Sequence, residues 1–143
     1  MNPFEFFIPQ NIIVGAGTLV RLPECAQKLG GTHAMLLSGP TLRKMGIVDK
    51  AAKYLEDAGM KVDIFTEIEA NPSVTTVEKA TTAFKEAGAD FIVALGGGSP
   101  MDVAKAVGVT AKYGGSITEY EGAHKVPGKI IPLIAIPTTA GTG

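Results

Sequence analysis

Short apolar runs and amphipathic segments take turns along this chain, and that alternation limits its fold more than any other feature. Residues 34–38, 91–95 and 130–136 are apolar runs of strand length, and 61–65 reads as a further strand. Between and before them, residues 18–29, 48–58, 74–87 and 100–111 carry apolar side chains at helical spacing. Period 3.6 marks an amphipathic helix, and a short continuous apolar run marks a buried strand. Strand followed by helix at this spacing predicts an α/β fold: a Rossmann-like parallel sheet with helices on both faces. Two shorter strands, 4–8 and 11–14, are expected around Pro9.

Glycine and capping residues mark the joints. Gly30-Gly31, Gly59 and Gly88 follow three of the helical segments, where a left-handed residue closes a helix. Ser73 is placed to cap the helix 74–87, whose inner stripe reads Val74, Val77, Thr81 and Phe84. Val48, Ala52 and Leu55 form the corresponding stripe on 48–58. The run 130–136 reads as a strand despite Pro132.

Bulk properties remove several functional classes. The 143 residues suit one domain, and 45% hydrophobic with 19% charged residues is globular composition. The net charge is −1, with no basic stripe for nucleic acid and no polybasic segment for a membrane surface. Cys25 is the only cysteine, so no disulfide forms within the chain. Its place in an apolar helical stretch predicts a small, partly buried side chain. Residues 1–10 lack a basic n-region and contain Pro3 and Pro9, unlike a signal peptide. No apolar run approaches the ~20 residues of a membrane span, so the cytoplasm is the expected location.

Parallel sheets bind ligands at the carboxyl ends of their strands, where the winding direction reverses. The loops after Ser38, Phe65, Leu95 and Ile136 are therefore the places to search. Gly96-Gly97-Gly98-Ser99-Pro100-Met101-Asp102 is the most informative of them. Three glycines leave a buried strand and enter a helix. Glycine lets backbone approach a ligand, and a helix N-terminus presents unpaired N–H groups with about half a positive charge. That pairing suits a phosphate or pyrophosphate. Capping alone also accounts for Ser99 as N-cap, Pro100 at the first helical position and Asp102 three residues past the cap. It does not account for consecutive glycines.

Gly15-Ala16-Gly17-Thr18-Leu19-Val20 imitates the opening of a dinucleotide fingerprint. Val20 stands where the third glycine belongs, and Ser38-Gly39 stands about 20 residues on, where an acidic ribose ligand is wanted. A structural turn is the expectation there. No G-x-x-x-x-G-K-[ST] motif is present, which argues against a P-loop kinase.

Asn71-Pro72 before a helix, Gly-Gly-Gly-Ser-Pro-x-Asp at 96–102, and Pro137-Thr-Thr-Ala-Gly-Thr-Gly at the end occur together in this order. The set resembles the iron-containing (group III) alcohol dehydrogenases, over the whole of residues 1–143. The ending favours that family over its neighbours dehydroquinate synthase and glycerol dehydrogenase, which share the glycine-rich layout. The resemblance implies a dehydroquinate synthase-like N-terminal domain that binds NAD or NADP. It implies a separate all-helical domain that supplies one Asp and three His to Fe²⁺ or a similar ion. The metal would polarise the oxygen of an alcohol or aldehyde while hydride passes to or from the nicotinamide.

Carried over by position, Gly97, Gly98 and Ser99 resemble pyrophosphate contacts, and Asn71 a residue of the cofactor cleft. Thr138, Thr139 and Thr142 resemble contacts on the adenine and ribose side, and Asp102 a position near the nicotinamide and substrate. Gly39 departs from NAD-preferring relatives, which tend to place Asp there to bond the ribose 2′-hydroxyl. Its absence removes repulsion against a 2′-phosphate, which Ser38, Thr41, Arg43 or Lys44 would bond. NADP, or dual use, is the expectation.

Family members are roughly 2.5 times this length, so the metal domain is expected to be missing from this chain. Neither His33 nor His124 matches a family metal ligand, and no His/Asp/Glu group has metal spacing. The expected behaviour is cofactor binding without turnover, with self-association through an apolar face left bare. The alternative is a stand-alone nucleotide-binding or assembly module with no catalytic role. A self-complementary edge formed by the strand 130–136 would favour it.

Overall fold

Every residue of Phe91–Gly96 is buried, and the sheet extends outward from this strand on both sides. The computed structural model describes residues 12–14, 19–121 and 126–137. Its strands are β1 (Ile12–Val14), β2 (His33–Leu37), β3 (Lys61–Phe65), β4 (Phe91–Gly96) and β5 (Leu133–Pro137). Its α-helices are α1 (Leu22–Lys28), α2 (Pro40–Lys44), α3 (Ile47–Asp57), α4 (Val74–Ala87) and α5 (Gly98–Tyr113). The strand 4–8, the turn 15–17, His124, Thr138, Thr139 and Thr142 lie outside the described residues.

The five strands are parallel in the order β1-β5-β4-β2-β3. Alternate residues of β4 feed opposite layers, as the pleat requires. Ile92 and Ala94 join Met35, Leu37 and Leu133 beneath α4 and α5. Phe91, Val93 and Leu95 join Ala34, Leu36, Ile134 and Ile136 beneath α1, α2 and α3. Full burial of Phe91 or Leu95 contributes about 2 kcal/mol each. Helices therefore cover both faces, and the interior strand β4 is apolar throughout because both its faces are dry, whereas the edge strand β3 exposes Lys61 and Asp63.

The helices follow their signals with shifts. Ser73 caps α4 in a reciprocal box with Thr76, and Gly88 closes it at φ 76°. The buried stripe of α4 is Thr76, Val77, Ala80 and Phe84, so Val74 and Thr81 sit at its margin. Thr81 is there because its hydroxyl meets that of Thr110 on α5 at 2.7 Å. The segment 18–29 divides into a 3-10 turn at Leu19–Arg21 and then α1, with Pro23 in the first turn of α1. Strand β5 begins only at Leu133. Pro132 has no N–H to give the ladder, though its carbonyl accepts from the Ile92 N–H at 2.9 Å.

β5 pairs with β4 on one side and β1 on the other, so it is an interior strand and not an edge. Among the described residues Met45 is the one large apolar side chain that is exposed, at 54%. Cys25 is half-buried against the α1–α3 layer. His33 lies at the amino end of β2 with Nε2 2.6 Å from the Asp63 carboxylate. No helix among the described residues is long and apolar enough to cross a membrane.

Candidate functional site at the carboxyl ends of the strands

From β2 the chain moves outward to β3, and α4 then carries it back across to β4 on the other side of β2. Winding reverses between β2 and β4, and a crevice opens there between their loops. Hydrogen bonds tie the loops together. The Ser38 hydroxyl, fully buried after β2, donates to the Leu95 carbonyl of β4 at 2.7 Å. The Ser99 hydroxyl donates to the Ala70 carbonyl, in the loop between β3 and α4, also at 2.7 Å.

The three glycines after β4 divide into two kinds. Gly96 has φ +130°, and a Cβ there would meet Leu42 at 3.2 Å and Pro100 at 3.4 Å. Both the backbone and the packing demand glycine at that position. Gly97 and Gly98 are different: a Cβ at either would meet nothing within 4 Å. Gly97 is the N-cap of the 16-residue α5, and no side chain caps it. The first turn of α5 thus has no side-chain cap, and two residues at its head lack a side chain that the fold would accommodate.

Ser99 was expected to be the N-cap and is not. Because Gly96 turns the chain directly out of β4, α5 starts at Gly98 and Ser99 lies inside its first turn. Its hydroxyl is then free to reach across to Ala70. Asp102 follows on the same helix, half-buried. Burial pushes its carboxyl above the usual range, and Lys105 one turn on draws it partly back.

Gly39 lies at the end of β2 as the N-cap of α2. A Cβ at Gly39 would stand 3.9 Å from the Ile68 carbonyl oxygen, so a side chain there would face the loop after β3. Asn71 is exposed on that same loop, between Ala70 and the buried Pro72. The structure therefore gathers Gly39, Asn71, Gly97, Gly98, Ser99 and Asp102 around one end of the sheet. Beside Pro40 a cleft of about 370 Å³ is lined by Thr66, Glu67, Glu69, Ser73 and Lys79, among others.

Parts of this arrangement escaped the sequence. Helix α2 stands where the sequence predicts a loop, although Pro40 after Gly39 is a start signal. Glu67 and Glu69 carry no local motif, and Glu69 accepts a hydrogen bond from the hydroxyl of the buried Thr76, seven positions on. No local pattern marks a contact at that spacing. Among the described residues no group of three or more His, Cys, Asp and Glu is arranged to hold a metal ion.

The model of the family described as iron-containing alcohol dehydrogenase matches residues 9–143. The chain belongs to that family. It is 40% identical over 147 aligned residues to a choline dehydrogenase of Bacillus subtilis, covering 100% of this chain and 37% of that protein. It is 36% identical over 139 residues to an NAD-dependent methanol dehydrogenase of Bacillus methanolicus, covering 97% and 36%. Among solved structures, a 1,3-propanediol oxidoreductase superposes with a TM-score of 0.84 at 36% identity, over 96% of this chain and 36% of that one. A sulfoacetaldehyde reductase from Bifidobacterium kashiwanohense, in complex with NAD⁺, gives 0.76 at 29% identity, over 94% and 35%. The chain thus spans little more than a third of the length of these relatives.

Proposed function

We propose that residues 1–143 form the nicotinamide dinucleotide-binding domain of an alcohol dehydrogenase that interconverts alcohols and aldehydes. The cofactor pyrophosphate lies on the N–H groups of Gly97, Gly98 and Ser99, at the head of α5. The adenosine end passes over Gly39 and the loop bearing Asn71, and Thr138, Thr139 and Thr142, outside the described residues, are assigned to it by the family resemblance alone. The nicotinamide extends toward Asp102. When bound, the cofactor supplies the hydride acceptor or donor. This chain's part is to hold and orient it, and Fe²⁺ or another divalent ion would be held outside the described residues. On this reading the chain alone binds cofactor without turnover.

The observation that carries the reading is the open space at Gly97 and Gly98. Neither the backbone nor the packing requires glycine there. A phosphate seated against the helix N-terminus does require it, because any Cβ would occupy the place of the oxygens. The family relationship and the NAD-dependent and NAD⁺-bound relatives support the same assignment. Gly39 offers no carboxylate of its own, so at that position either NAD or NADP is admitted. Calorimetric titration with NADH and NADPH tests the reading. Binding that weakens when Gly98 is made bulky supports it, and no binding of either cofactor overturns it.

A further inference from the structure

Two of the four groups expected to receive a 2′-phosphate, Ser38 and Arg43, already have partners in the folded chain. The Arg43 Nε lies 3.3 Å from the Asp49 carboxylate. The Ser38 hydroxyl is buried and bonded to the Leu95 carbonyl. Neither Arg43 nor Lys44 lines the cleft beside Pro40. That cleft instead carries Glu67 and Glu69 against one cation, Lys79. Glu69 is committed to Thr76. Glu67 is exposed and makes no hydrogen bond or ion pair among the described residues.

The geometry at position 39 connects these facts. A side chain there would face the Ile68 carbonyl, and Ile68 lines the same cleft, next in the chain to Glu67. A side chain at position 39, the N-cap of α2, would therefore approach the loop that carries Glu67. Gly39 sends no side chain toward that loop, and Glu67 borders the cleft together with Ile68 and Pro40, the residue after Gly39.

We propose that Glu67 sets the cofactor choice of this chain, accepting a hydrogen bond from the 2′-hydroxyl of the adenosine ribose and repelling a 2′-phosphate. The chain then prefers NAD, which reverses the expectation drawn from Gly39 alone. The proposal rests on the cofactor reading above. A carboxylate is a good acceptor for a ribose hydroxyl. A phosphate brought into a cleft with one more carboxylate than ammonium meets net repulsion, which is how a site rejects a close analogue.

The test is the ratio of NADPH to NADH dissociation constants, measured by titration of the wild-type chain, Glu67→Gln, Glu67→Lys and Lys79→Ala. A ratio within one variant cancels any loss of folded protein, because both cofactors lose the same fraction. The wild type should bind NADH about tenfold more tightly or better, equivalent to about 1.4 kcal/mol. Glu67→Gln should bring the ratio close to one, Glu67→Lys should invert it, and Lys79→Ala should widen it. Repeating the titrations with 5′-ADP and 2′,5′-ADP should give the same order, placing the discrimination at the adenosine end. Equal or tighter NADPH binding by the wild type overturns the proposal and leaves the cofactor reading standing. So does a ratio that Glu67→Gln and Glu67→Lys leave unchanged. Binding of neither cofactor overturns the reading and the proposal with it.

Discussion

The Ser99 hydroxyl donates a 2.7 Å hydrogen bond to the Ala70 carbonyl, 29 residues away, and so joins the head of α5 to the loop that carries Asn71. The bond lies at the surface, so its removal should cost about 1 kcal/mol or less. Its larger effect should be on ligand binding, because it sets the distance between two walls of the crevice. Ser99→Ala is expected to shift the melting temperature little and to weaken NADH binding about three- to tenfold. Ser99→Thr keeps a hydroxyl and should retain most of the affinity. Titration and thermal melts on the same preparations check this. An affinity that Ser99→Ala leaves unchanged would remove the bond from the binding argument.

Gly96 and Gly98 should respond to substitution in opposite ways. Gly96→Ala places a Cβ at φ +130°, between Leu42 and Pro100. Strain and crowding together should destabilise the fold by roughly 1–3 kcal/mol. Gly98→Val has room for its side chain and adopts ordinary helical backbone, so the melting temperature should hold within a few degrees. Cofactor affinity should nevertheless fall by at least tenfold, because the side chain fills the phosphate position. Loss of stability in Gly98→Val comparable to that in Gly96→Ala would mean that both glycines serve the fold.

Much of this architecture is legible in the sequence because strand and helix periods do not depend on distant partners. The runs at 34–38, 61–65 and 91–95 became β2, β3 and β4 within a residue, and Ser73, Gly59 and Gly88 mark the joints expected of them. The glycine triplet leads from the carboxyl end of β4 into α5, as its place between an apolar run and a helical segment implies. What failed were inferences that needed a third dimension. Ser99 looked like a cap because capping is local, yet its partner is a carbonyl on another loop. The ion pair of Arg43 with Asp49 on the next helix is likewise outside what local sequence shows. Glu67 carries no local signal in the sequence, and only the fold brings it to the cleft that Pro40 and Ile68 also line.

Gly31 is held by a contact that no turn rule predicts. A Cβ there would come within 2.4 Å of the Phe91 ring, which is fully buried at the start of β4. The ring is fully buried among packed side chains and must shift to admit a methyl group, so Gly31→Ala should cost about 1–3 kcal/mol. Gly30, with φ 76° but nothing within 4 Å of its Cβ position, tests a different penalty. Gly30→Asn, which tolerates that backbone, should be nearly neutral. Chemical denaturation of the two variants separates packing from backbone strain. A stable Gly31→Ala would require the Phe91 ring to shift, which near-ultraviolet circular dichroism would register.

Asp102 should weaken the fold that carries it. Burial raises its carboxyl above the usual range, with Lys105 offsetting part of the effect, so the folded chain holds this proton more tightly than the unfolded chain does. As pH rises through the ordinary aspartate value, about 3.9, the unfolded state ionises first. Stability then falls until the folded-state carboxyl ionises as well, and the deficit stays constant above that point. Asp102→Asn carries no charge and escapes the deficit. It should therefore melt higher than the wild type at pH 7, by about 1–2 °C, because the group is only half-buried and solvent still screens it. The two proteins should converge below about pH 4, where both side chains are neutral. Melting curves across pH 3–8 decide the matter. A variant less stable at pH 7, or a gain that persists at pH 3, would show that burial of the charge is not what Asp102 costs the fold. A gain confined to high pH would mark Asp102 as a residue the fold alone does not favour, consistent with a place beside the nicotinamide.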